Sequence, residues 1–170
     1  MFNFIKSIQN IEKNTETLLT FAKLNTEVLL SEPETEEELT LADIAEGFIG
    51  VDSSPRDVAP DELGCAESVS EIIIDMFPDF KMQTATWILD TQLKADKRFM
   101  RVTEAQRGDI IMSPTIGGQF VGHVGIFSSP EDIMSNSSYS GTWENNFTLA
   151  EWVARYRTLG GLKIYYYRVV

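Results

Sequence analysis

The sequence predicts an α+β domain, with helices first and an antiparallel sheet after them. Between residues 39 and 95 apolar residues recur at helical spacing. From Phe99 onward they gather in short runs rich in β-formers, RFMRV, DIIMS, GHVGIF, DIMSNS and KIYYYRV, separated by turn residues. Helical patterns that precede strand patterns, rather than alternating with them, belong to α+β architectures.

The first element is a helix, or two short ones, over residues 1–30. Met1, Phe4, Ile8, Ile11, Thr15, Leu18, Ala22, Asn25 and Leu29 step by alternating threes and fours, a narrow seam interrupted only by Thr15 and Asn25. The seam either packs on its own domain or serves oligomerisation or docking onto a larger assembly such as a virion. The stretch SEPETEEE at residues 31–38 cannot bury its charges and reads as a solvated linker. These features divide the chain into an N-terminal arm with linker, 1–38, and a domain, 39–170.

A short helix from Leu39 to Phe48 is expected to present Leu41, Ile44, Ala45 and Phe48 on one face. GVDSSPRDVAPDELG then reads as loop. CAESVSEIIIDMF carries a helical stripe, Ala66, Val69, Ile72, Ile73, Met76 and Phe77, ended by Pro78 and Asp79. A further helix spans about Thr84 to Ala95, with Ala85, Ile88, Leu89 and Leu93 inward. Between the last two strand runs, Thr148 and Glu151 form a capping box before LAEWVARY, and Gly160 and Gly161 stop that helix.

Composition narrows the function. The 170 residues are 43% hydrophobic and 24% charged, an ordinary globular mixture with enough material for a core. A net charge of -12 and a pI of about 4.4 repel nucleic acid and anionic membrane surfaces, so neither is expected as a partner. The single cysteine forms no internal disulfide, and one Cys with one His falls short of a structural zinc site. No metal or cofactor is expected. MFNFIKSIQNIEKN lacks the unbroken apolar run of a secretory signal, so a role outside a cytoplasm requires another means of carriage or release.

Two residues stand out chemically. Cys65 follows Gly64 at a helix start, where unpaired N–H groups and the helix dipole favour a thiolate. The other reading is a small buried hydrophobe. Glu67 lies close by, and its charge opposes a thiolate. His123 lies in a strand, VGHVGIF, that puts Val121, His123 and Gly125 on one face and Val124 and Ile126 on the other. It is either a base or a core histidine satisfied by a backbone carbonyl. Gly125 leaves room beside it. The next strand, DIMSNS, is expected to pair with this one as a hairpin, bringing Ser135 or Asn136 beside the imidazole to fix its orientation.

The stretches GCAESVSEII, GDIIMSPT, GHVGIF and IMSNSSYSGTWENNFTLAEWVARY resemble the NlpC-like and CHAP (cysteine, histidine-dependent amidohydrolase/peptidase) superfamily of papain-like fold, and more narrowly the peptidoglycan-hydrolase-like proteins of bacteriophages. The resemblance covers about residues 60–170. It implies that Cys65 is the nucleophile, that His123 is the general base and that Asn136 occupies the third polar position. Gly108 and Asp109 match the family's turn into the first central strand. Many NlpC-like members carry Asp before the cysteine; Gly64 follows the CHAP-like pattern. Tyr139 and Trp143 are expected either to line a substrate groove or to anchor a surface loop. The implied activity is hydrolysis of an amide in the peptide part of bacterial peptidoglycan through a thioester. The alternatives are a virion component that keeps the fold without turnover, and a cysteine-dependent transferase or deamidase on the same fold.

Overall fold

The structure is a computed structural model, and it describes residues 39–170 apart from 55, 57, 58, 61, 62, 118 and 119. The seam over residues 1–30, its suggested role in oligomerisation or docking, and the acidic linker all lie outside the described residues.

Helix α1, Leu41–Gly47, starts at a capping box: the Thr40 side chain accepts from the Asp43 N–H while the Asp43 side chain accepts from the Thr40 N–H. Helix α2, Cys65–Met76, buries Ala66, Val69, Ile72 and Ile73, four members of the expected stripe. Helix α3, Thr86–Ala95, buries Leu89 and Leu93 as its periodicity indicates. It also buries Asp90, which accepts from the Tyr167 hydroxyl at 2.6 Å and pairs with Lys94.

The strands are β1 Phe99–Val102, β2 Ile110–Ser113, β3 His123–Phe127, β4 Asp132–Asn136, β5 Trp143–Thr148 and β6 Tyr165–Val169. They form one antiparallel sheet in the order β1-β6-β2-β3-β4-β5. The fold is therefore α+β, helices packed on an antiparallel sheet in the papain-like manner. Strand β5 was not anticipated. Its sequence WENNFT is polar, because it lies at the edge of the sheet and needs only a partial apolar face. The hairpin of β3 with β4 forms as expected, in the register Gly125↔Ser135.

The sheet is covered on both faces. Ile110, Met112, Val124, Ile126 and Met134 alternate toward the side of α1, α2 and α3. Ile111, Phe127 and Ile133 face Trp152 and Tyr156 on the other side. Those two aromatics come from helix α4, Leu149–Trp152, and the π-helical segment Val153–Leu159 that continues it. The Thr148–Glu151 capping box is present. The motif at Gly108 and Asp109 is a structural tie: the buried Asp109 carboxylate takes two bonds from Arg168 on β6, at 2.8 and 2.7 Å, and one from the Gln106 N–H at 2.8 Å. None of the described helices is long and apolar enough to cross a membrane.

Candidate active site

Cys65 is the first residue of α2, and the loop before it is fastened from within the same helix. The buried Glu67 carboxylate accepts from Ser54 Oγ at 2.8 Å and from the N–H groups of Arg56 and Ala59, both at 2.9 Å. Its oxygens are thus committed to the loop. Gly64 is required by contact: a Cβ there would run into the Ser53 carbonyl. That carbonyl also accepts from Ser68 Oγ at 2.5 Å.

Cys65 is only 7% exposed. Burial pushes the thiol up to about 11, while the N–H groups of Val124, Ala66 and Cys65 itself lean toward the thiolate without prevailing. The thiolate expected from a helix terminus is therefore not the resting form. Desolvation outweighs the helix end because the residue is enclosed, and the sequence does not display enclosure.

His123 opens β3, opposite Ser113 of β2. Its ring stacks on Trp152 and Tyr156, with centroids 5.2 and 5.5 Å away, and meets the edge of Phe147 at 5.8 Å. Trp152 is fixed in turn by donating from Nε1 to Ser113 Oγ at 2.9 Å. The imidazole is thereby buried. Burial is the main reason its pKa falls to about 3; the Arg155 charge adds to the fall, and the Asn136 backbone carbonyl opposes it. At neutral pH both the thiol and the imidazole rest uncharged.

The polar contacts of the ring favour one tautomer. His123 Nε2 lies 3.0 Å from Ser135 Oγ. That hydroxyl has one proton and donates it to Asn146 Oδ1 at 2.7 Å. Ser135 therefore accepts from Nε2–H, and Nδ1 keeps its lone pair. Gly125 makes the arrangement fit: a Cβ there would stand 2.6 Å from the Met134 carbonyl and 3.1 Å from Ser135 Cβ. The room beside His123 is filled by β4. Of the two β4 side chains expected next to the base, Ser135 is the one on Nε2, and Asn136 meets the ring through its main-chain carbonyl.

Cys65 and His123 come together on the wall of one cavity of about 480 Å³, with Thr86, Trp87, Arg155 and Tyr156. A second cavity of about 440 Å³ shares His123, Arg155 and Tyr156 and adds Asn136, Tyr139 and Asn146. Tyr139 stands fully exposed at that rim. Trp143 does not act as a groove residue. It is 1% exposed and belongs to the core against α2, because β5 continues the sheet where a loop was expected. A ring buried there has no surface to offer a substrate. Asn146, Trp152, Tyr156 and Arg155 were not singled out in the sequence. The aromatic spacing of four in EWVARY is a local signal for Trp152 and Tyr156 alone. Among the described residues no group of three or more His, Cys, Asp or Glu side chains converges to hold a metal ion.

No family model matches the chain, and no curated protein matches it. A solved structure does: a chain of the type VI native effector–immunity complex Tae3–Tai3 from Ralstonia pickettii. The TM-score is 0.50 at 19% identity, over 77% of this chain and 97% of that one. The helices-on-sheet architecture around Cys65 and His123 is thus shared with a protein of known structure.

Proposed function

We propose that the chain is a cysteine hydrolase that cleaves an amide bond in the peptide part of bacterial peptidoglycan. The observation that carries the reading is the joint placement of Cys65 and His123 on one cavity wall, with Ser135 Oγ 3.0 Å from His123 Nε2. The likeness to a type VI effector–immunity complex supports the choice of fold. The resemblance of the motifs around Cys65, His123 and Asn136 to NlpC-like and CHAP hydrolases supports the choice of substrate.

In this reading the resting pair is neutral, and proton transfer accompanies attack. As Sγ bonds to the amide carbonyl carbon, its proton passes to Nδ1. The imidazolium then gives that proton to the departing amine, the C–N bond breaks and a thioester remains. Water attacks the thioester with its proton passing to Nδ1. The C–S bond breaks, and the imidazolium returns the proton to sulfur. The Cys65 N–H at the start of α2 stabilises the oxyanion. Ser135 and Asn146 hold the ring without adding charge, so imidazolium formation relies on the Asn136 carbonyl for stabilisation. The enzyme reaches the wall after release from a host cytoplasm or as part of a virion.

The test is incubation of the full chain with purified cell walls, scoring new free amines and new reducing sugar ends separately. Amines without reducing ends are expected. New reducing ends alone mean a glycosidase. Release of neither supports the non-catalytic alternative.

A further inference from the structure

Arg155 is the cation of this cleft. It sits on the π-helical segment Val153–Leu159, directly before the Tyr156 that stacks on His123. π-Helical turns inside helices are frequent at functional sites. Arg155 lines the cavity of Cys65 and His123, the neighbouring cavity of Asn136 and Tyr139, and a third beside Phe147 and Leu159. Its guanidinium lies 5.9 Å from the Phe147 centroid and 5.7 Å from that of Tyr156. Such cation–π contacts leave the in-plane N–H donors available to another partner.

Arg56, Arg98, Arg107 and Arg168 each pair with a carboxylate, whereas Arg155, like Arg101 and Arg157, has no ion pair among the described residues, and of these three it is the one that lines the cavity of Cys65 and His123. In a chain of net charge -12 carboxylates are abundant, yet the one that shares a cavity with Arg155, Glu151, makes no ion pair with it and is bonded to the Thr148 N–H and hydroxyl instead. Its charge also works against the imidazolium that the proposed reaction requires. A bound anion would cancel that opposition. The wall nearby carries Leu63, Trp87 and Val121, all more than half exposed, which suits a peptide.

We propose that Arg155 binds a free carboxylate of the substrate, so that the cleft selects peptides bearing an unamidated carboxyl group near the scissile amide. This rests on the hydrolase reading above. The arginine fork matches a carboxylate bidentately and discriminates against the neutral carboxamide.

The test compares one cell-wall peptide fragment with its carboxylates free against the same fragment amidated. Turnover is measured with the full chain and with R155Q and R155K. Binding is measured in parallel with C65A and C65A/R155Q. The unsubstituted protein should prefer the free carboxylate by roughly ten- to a hundredfold in kcat/KM. R155Q should reduce that preference to about one, and R155K should keep part of it. Equal turnover of both fragments by the unsubstituted protein, or an undiminished preference in R155Q, overturns the assignment. If neither fragment is cleaved, the hydrolase reading falls and binding decides the role of Arg155. A carboxylate preference in C65A that vanishes in C65A/R155Q upholds it, and absence of that preference overturns it.

Discussion

In the proposed mechanism His123 serves as a base, and a second strand supplies the partner that orients its ring. The Ser135 hydroxyl is turned by Asn146 to accept from Nε2–H, which leaves Nδ1 open. Replacing Asn146 by Leu removes that acceptor and frees Ser135 to donate to Nε2, which moves the ring proton to Nδ1. N146L should lower kcat by roughly 10²–10³-fold with little change in KM, on the scale of general-base catalysis. N146D, which keeps an oxygen acceptor, should recover most of the loss. Full activity in N146L would remove Asn146 from the mechanism. Cys65 gives a second expectation at this scale. With its thiol pushed up to about 11, little thiolate exists at neutral pH. Iodoacetamide should label the folded protein more slowly than a free thiol at pH 7, and the rate should climb as pH rises toward 11. Labelling faster than a free thiol at pH 6–7 would mean that the helix end prevails over burial after all. Cys65 and His123 were legible because each is the only residue of its type and each sits at a distinctive local position. Asn146 was not, since its role depends on a strand pairing that no local pattern announces.

The elements most readable in sequence were those with strong local signals. The stripe of α2, the capping box at Thr148 and Glu151, and the alternation in β3 each express a periodicity or a cap. Strand β5 escaped notice because an edge strand in a polar context lacks the alternation of a half-buried one. That omission also misplaced Trp143. The junction before α2 is the element on which the site depends most, and Gly64 is its narrowest point. Its φ of -68 suits any residue, so the requirement for glycine is steric alone. G64A would force the Ser53 carbonyl away from Ser68 and from the start of the helix. A loss of about 2–3 kcal/mol is expected, seen as a melting temperature lowered by roughly 5–10 °C. An unchanged melting temperature would show that the loop yields at no cost.

At the scale of the molecule, α2 brings Cys65 to one face of the sheet and β3 turns the ring of His123 toward the aromatic layer on the other. The cavity in which both appear lies where these layers meet. The order of helices and strands conveyed the architecture, because α+β folds keep their two kinds of element apart in sequence. The depth of the site was not conveyed. Burial is a property of the assembled layers; it opposes the thiolate expected of Cys65 and keeps the His123 ring neutral. The central claim is that these two residues form one catalytic unit acting on the cell wall. It is tested most directly by the rate of free-amine release from purified cell walls by the full chain, by C65A, by H123A and by the double variant. The account predicts release by the unsubstituted protein, loss of about three or more orders of magnitude in each single variant, and no further loss in the double variant, as expected of residues that act as a unit. Release by C65A at the rate of the unsubstituted protein would contradict it.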